Sequence, residues 1–372
     1  MKIFVIGPTY PYRGGISHYN TLLCDALSKK HQVTPISFKR MYPKIFFPGK
    51  DQRDTKSQQK IIHSANELID TLNPITWLKT FLKIRKEKPD LLVMYWWTPF
   101  FMPIFTFISF LVRHLTKTKV LFLCHNVLPH DKTFFDKALT KPVLTNSDYF
   151  IVHSQEDKNN LLNMIPKANV KVTVHPTYDV FAKEQNVLDL NDLNLKKNVI
   201  LFFGFVRPYK GLMHLIKSMP SILKEVDLDL LIVGEFWKDK SDYIQEIKRL
   251  DIIDRVKIVD NYVPNESTGN YFNKSDVVVL PYNSATNSGI IQMAFGFNKP
   301  VIVTNVGGLP EVVEDNKTGF VVRPRDPEEL AKSIIRFYKE NKKEEFIDNI
   351  KKEKDKFSWD KVVDIIEDFQ TH

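Results

Sequence analysis

The sequence predicts an α/β protein built from two doubly wound, parallel-sheet domains. Three observations carry this: wholly apolar short runs recur at helical spacing, a polar stretch divides them into two series, and 372 residues suit two cores of roughly 180 better than one. Strands covered on both faces read as continuous apolar runs, and parallel neighbours need a crossover of helical length.

The first series opens with KIFVIG, continues through a helical stretch from Ile16 to Lys30, and then reads QVTPISF, DLLVMYW, KVLFLC, YFIVHS and VKVTVHP. After the polar segment KEQNVLDLNDLNLKKN it restarts as VILFFGF, LDLLIVG, VKIVDNY, DVVVLPY, KPVIVTN and TGFVVRP. The expected domains are 1–180 and 181–355, with a closing helix over 356–372. Ligands of such sheets bind at the carboxyl ends of the strands, and here are expected between the lobes.

Hydrophobic content of 43% and charged content of 26% are those of an ordinary globular chain. Cys24 and Cys124 lie in apolar stretches without zinc spacing or a disulfide framework, which predicts two buried thiols in a reducing cytoplasm. The apolar run at the N-terminus is too short for a signal segment and is expected to remain as the first strand.

The net charge of +9 is unevenly placed: residues 1–180 hold 25 Lys and Arg against 13 Asp and Glu, a balance of +12, leaving −3 for the rest. A polyanionic partner for the first half is expected. Nucleic acid is excluded, since no zinc-finger spacing, single-strand-binding aromatic motif or arginine-rich arm is present. An anionic membrane surface fits better, because YWWTPFFMPIFTFISFLVRHLTKTK runs from aromatic residues into Arg113, His114, Lys117 and Lys119. Pro99 and Pro103 and the flanking strands argue against a membrane span. Two readings remain: a buried helix of the α/β domain, or a helix resting partly on a bilayer.

Two strand-end loops carry candidate chemistry. In GPTYPYRGGISHYN, Arg13 and the pair Gly14-Gly15 precede a helix, where backbone N–H groups can meet an anion; the dinucleotide fingerprint is absent. In LFFGFVRPYKGLMHLIKSM a strand ends at Gly204, and Arg207 and Lys210 precede Gly211 and a helix, without the Ser or Thr of a Walker loop. Two cations placed there suit a diphosphate; two solvated surface cations are the alternative. A third stretch, SATNSGIIQMAFGFNKPVIVTNVGGLPEVV, leads small and hydroxyl residues into a helix and then into Gly307-Gly308. The carboxylates of DLD, Asp227 to Asp229, stand at the start of a strand, opposite the ligand edge, and are not read as a metal site.

GFVRPYKGL, LIVGE and KPVIVTNVGGLPEVVEDNKTGFVV, in this order and spacing, resemble the C-terminal lobe of the retaining glycosyltransferases of family 4, which have the two-lobed GT-B fold. The N-terminal glycine pair, CHN after a central strand, and FSWDKVVDIIEDF extend the resemblance more loosely over the chain. The resemblance implies that the last helix crosses back to the first domain, which takes the acceptor. Arg207 and Lys210 would hold the donor diphosphate and stabilise the leaving group without a metal or other cofactor. His125 would stand near the donor sugar, with His130 a competing candidate. Gly14, Gly15, Gly204, Gly234 and Glu235 would line the donor, and Tyr262 and Val263, in the loop Asp260 to Pro264, the nucleobase. Ser288, Gly289 and Ile290 would present N–H groups to phosphate.

The family's pair of glutamates is absent: Ser284, Thr286 and Asn287 occupy the region of the first. Gln292 occupies the place of the second, although an ungapped alignment puts Met293 there. Thr286, Asn287 and Gln292 can still hydrogen-bond sugar and ribose hydroxyls. The implied activity is retaining transfer from a UDP- or GDP-sugar to a saccharide or polyprenyl-diphosphate-linked acceptor in cell-envelope polysaccharide synthesis, at the inner face of the cell membrane. The alternative is a non-catalytic nucleotide-sugar-binding subunit.

Overall fold

The structure is a computed structural model that describes residues 1–43, 47, 49, 51–57, 65–129, 135–183, 190–237 and 240–369. The chain divides into two compact units: Met1–Lys56 with Lys60–Val174 and Trp359–His372, and His175–Ser358 with Ser57–Gln59.

The first unit runs β1 (Lys2–Ile6), α1 (Gly15–Ser28), β2 (Gln32–Arg40), β3 (Asn66–Asp70), α2 (Pro74–Glu87), β4 (Leu91–Trp96), α3 (Met102–Leu115), β5 (Lys119–Cys124), α4 (Asp136–Leu144), β6 (Tyr149–Val152), α5 (Gln155–Met164) and β7 (Val170–Val172). Its seven strands are all parallel, in the order β3-β2-β1-β4-β5-β6-β7. Every residue of β4 is buried, the signature of a strand covered on both faces. Because crossovers are right-handed, the connection from β1 to β2 and those from β3 onward cover opposite faces. Thus α2, α3 and α4 pack side by side, while α1 lies on the other face. The sequence segment around Tyr95 resolves into β4 and α3, with Ile104, Phe105, Ile108 and Val112 in the core.

The second unit runs α6 (Val180–Lys183), β8 (Asn198–Phe203), α7 (Leu212–Leu223), β9 (Leu228–Val233), α8 (Lys240–Arg249), β10 (Val256–Val259), α9 (Thr268–Lys274), β11 (Val277–Leu280), α10 (Gly289–Gly296), β12 (Val301–Thr304), α11 (Leu309–Val312), β13 (Gly319–Val322), α12 (Pro327–Lys339) and α13 (Lys342–Glu353). Its six parallel strands are ordered β10-β9-β8-β11-β12-β13. The order reverses between β8 and β11, so the loops that follow these strands diverge and leave a crevice at their carboxyl ends.

The last helix, α14 (Trp359–Asp368), joins the first unit. Val362, Val363, Ile366 and Phe369 enter that unit's core, Trp359 packs 5.0 Å from Tyr19, and Lys30 pairs with Asp364 and Glu367. The amphipathic period of WDKVVDIIEDF produces this: its apolar stripe is buried and its charged side pairs with the end of α1.

Candidate functional site

In the second unit, the loop from β8 to α7 turns at two glycines in left-handed conformation. Gly204 has φ +98° and Gly211 φ +67°. Gly204 lies against the loop after β9: a Cβ on Gly234, itself at φ +147°, would stand 2.1 Å from the Gly204 carbonyl oxygen. This contact explains both glycines, since a side chain would force the two strand ends apart. Glu235 follows, buried, and its carbonyl accepts a hydrogen bond from Val206 N at 2.9 Å.

Between Gly204 and Gly211 stand the two cations. A short 3-10 turn, Pro208–Lys210, carries Lys210 inward until only 8% of it is exposed. A Cβ on Gly204 would lie 3.1 Å from Lys210 Nζ and 3.3 Å from Ile290 Cδ1, so the ammonium sits beside the first turn of α10. Its Nζ lies 5.7 Å from the centroid of the buried Tyr282 ring, at the end of β11. Lys210 makes no ion pair among the described residues. Burial, and secondly the charge of Arg207, push its ammonium down to about 7. The half-buried Arg207 guanidinium lies 4.9 Å from the ring centroids of both Tyr209 and Trp237.

Around this centre the other sequence-derived residues fall as follows. Tyr262 and Val263 are half-buried on the loop after β10, and the Tyr262 ring stacks 6.4 Å from Phe205. Asp260 holds that loop: its Oδ1 accepts from Phe236 N at 3.0 Å and its Oδ2 pairs with Lys240. Thr286 is buried, its carbonyl accepting from Gly308 N at 2.9 Å, and Asn287 is half-buried. Ser288 precedes α10, its side chain 3.5 Å from the Tyr282 hydroxyl instead of capping the helix. The helix therefore begins at Gly289 and Ile290 with its first N–H groups uncapped by Ser288. Gly289 lies beside Tyr178, whose hydroxyl contacts His175 Nε2 at 3.1 Å. Gln292 is 1% exposed, and its Oε1 finds no hydrogen-bond partner among the described residues. Met293 is buried too.

In the first unit, Gly14 precedes α1 at φ +103°, and a Cβ on Gly15 would meet nothing within 4 Å. His125 follows β5, half-buried, with its Nδ1 3.3 Å from the Tyr95 hydroxyl. Its ring stands 6.4 Å from His153, the residue after β6. His153 Nδ1 donates to the Thr173 carbonyl at 3.0 Å, and burial pushes the ring down to about 4, keeping it neutral. His18 is pushed down to about 4 by burial, against the opposing charge of Asp54. His130 lies outside the described residues.

The carboxylates of DLD have structural partners. Asp227 pairs with Arg255, and Asp229 accepts from Lys196 N at 2.7 Å and lies 3.6 Å from Arg255. Among the described residues no group of three or more His, Cys, Asp or Glu could hold a metal ion.

Sequence reasoning missed the aromatic surround: Phe205, Tyr209, Trp237 and Tyr282 in the second unit, Tyr19, Tyr95 and His153 in the first. Its only signal was an aromatic or histidine directly after an apolar run, as in GEFW, LPYN and IVHS.

Comparison with known proteins identifies the fold. The sucrose-phosphate synthase of Thermosynechococcus elongatus superposes with a TM-score of 0.74 at 18% identity, over 100% of this chain and 98% of that one. Anabaena Alr3699/HepE, solved in complex with UDP, gives 0.74 and 18% over 100% of both chains. The fold is thus GT-B. An uncharacterized glycosyltransferase of Methanocaldococcus jannaschii, MJ1607, is 30% identical over 170 residues, covering 45% of this chain and 43% of that protein. The chain spans about half the length of the first curated relatives it matches. The sequence profile of the family "Glycosyl transferases group 1" matches residues 186–354, so the Arg207–Lys210 loop, the glycine contact and α10 all lie inside the matched region.

Proposed function

We propose that this chain is a retaining, metal-independent glycosyltransferase that moves a sugar from a UDP- or GDP-sugar to a saccharide or a polyprenyl-diphosphate-linked acceptor at an anionic membrane surface. The observation that carries the reading is the placement of Arg207 and Lys210. Two cations without a carboxylate partner among the described residues stand at the reversal of strand order, one of them buried beside the first turn of α10. A diphosphate supplies the charge that this arrangement lacks, Arg207 by paired hydrogen bonds and Lys210 as a point charge.

In the transfer, the bond from the anomeric carbon to the donor phosphate oxygen breaks as a bond to the acceptor oxygen forms on the same face. The acceptor proton passes to the departing phosphate, whose charge Arg207 and Lys210 stabilise. The UDP bound in one structural neighbour supports the donor class. Gln292, buried with an amide oxygen that has no partner among the described residues, suits a ribose hydroxyl.

The test is release of UDP or GDP from a sugar panel, with and without polyprenyl-diphosphate saccharides, in EDTA. Acceptor-dependent release, with the donor's anomeric configuration kept in the product by NMR, is the expected result. The absence of the glutamate pair favours a second reading, a non-catalytic binding subunit; donor binding without release under every condition would select it.

A further inference from the structure

We infer that the outer face of α2, α3 and α4 is a docking surface for an anionic lipid bilayer, with α2 as its principal contact. This deepens the membrane part of the function proposed above and is independent of the sugar transfer.

Helix α2 is apolar on two opposite sides. Asn73 caps it, accepting from Ile75 N, and Pro74 opens it, so the helix is firmly placed. Thr80, Phe81 and Ile84 face the core, with Trp77 partly buried beside them. At about 100° per residue, Ile75, Leu78 and Leu82 form a stripe on the opposite side. All three are exposed, Ile75 by 63% and Leu82 by 48%, and Leu72 just before the helix extends the stripe. A surface helix needs one apolar stripe to hold it, so the second has no role within the unit.

The neighbouring helices continue this surface. Trp77 of α2 meets Phe107 of α3 edge-on at 6.1 Å, closing the seam between them. Beyond the seam Phe110 is exposed and stacked 4.3 Å from His114, and Phe135, beside α4, is 69% exposed. Of the ten exposed large hydrophobics among the described residues, nine lie in the first unit, which places the exposed apolar surface on the basic half of the chain.

The charge names the occupant. Lys79, Lys83 and Lys86 flank the α2 stripe on one side and Arg85 on the other. The single acid of α2, Glu87, is paired with Lys2 and Lys83, α3 has none, and Asp136 of α4 is buried. Protein interfaces are depleted of lysine at their centre, whereas leucine and phenylalanine framed by lysine match a helix lying in an anionic membrane interface. No helix among the described residues is long and apolar enough to cross a membrane, so the contact is peripheral.

The experiment is co-sedimentation of the full chain with phosphatidylcholine vesicles, with and without phosphatidylglycerol. Binding to the anionic vesicles, at least about tenfold weaker on neutral ones and reduced by added salt, is expected. The variant I75S/L78S/L82S should lose at least about tenfold in binding, and K79Q/K83Q/K86Q should lose it on anionic vesicles alone, both with wild-type thermal stability and UDP affinity. Failure of the wild type to bind anionic vesicles would overturn the proposal, as would unchanged binding by the serine variant. So would a dimer that the serine substitutions dissociate without any vesicle binding, since the face would then join copies of the chain. Vesicle binding without UDP binding would defeat the transferase reading and leave this surface standing.

Discussion

Lys210 Nζ stands 5.7 Å from the ring centroid of Tyr282, a buried cation above a buried aromatic with no ion-pair partner among the described residues. Such an ammonium is costly to the free protein and useful to the complex. Lys210→Met should therefore raise the melting temperature by roughly 2 °C or more while weakening UDP binding at least about tenfold. Scanning calorimetry and isothermal titration measure the two opposed effects, and Arg207→Ala should show only the second.

The pH dependence follows from the depressed ammonium. Lys210 lies near 7 in the folded protein against an ordinary 10.5, so between these values the unfolded chain binds more protons and stability rises with pH. The stability gain of Lys210→Met should accordingly shrink as pH rises above about 7. Diphosphate binding needs the charged form, so UDP affinity should fall by up to about tenfold per pH unit from about pH 7.5 to 8.5, where the diphosphate is fully ionised and the uracil still neutral. Titration across this range should find the fall in the wild type and little of it in Lys210→Arg.

Two glycines separate backbone demands from ligand demands. Gly234→Ala puts a Cβ 2.1 Å from the Gly204 carbonyl oxygen at φ +147°, and should cost at least about 2 kcal/mol in urea unfolding. At Gly15 a Cβ meets nothing within 4 Å, so Gly15→Ala should fold within about 0.5 kcal/mol of wild type. A drop of about tenfold in its transfer rate would then report crowding of the ligand itself.

Gln292→Leu removes an amide oxygen that has no partner among the described residues. Stability should hold or improve, UDP binding should weaken by about tenfold, and pyrophosphate binding should stay unchanged, because the amide serves the ribose and not the phosphates. Competition titrations of the two ligands distinguish these outcomes.

The sheets were legible because doubly covered strands such as LLVMYW and LDLLIV are continuous apolar runs. Strand β3, NELID, escaped notice: it is an edge strand with its first two residues exposed, so neither a continuous run nor clean alternation marks it. The outer stripe of α2 was hidden for the reverse reason, since a helix apolar on two sides shows no single period. In the site, Gly204, Arg207 and Lys210 could be read because glycine and charge stand out at the end of an apolar run. Tyr282 and Trp237 could not, because an aromatic after a strand looks like more core until the loops are folded together.

The most direct measurement is titration calorimetry of UDP, GDP and their sugars into the full chain in EDTA, repeated with Arg207→Ala/Lys210→Ala. Binding of one nucleotide series to the wild type, lost in the double variant while its melting transition persists, is the expected result. Absence of binding by either series, or equal binding by the double variant, would contradict a donor site centred on these two cations.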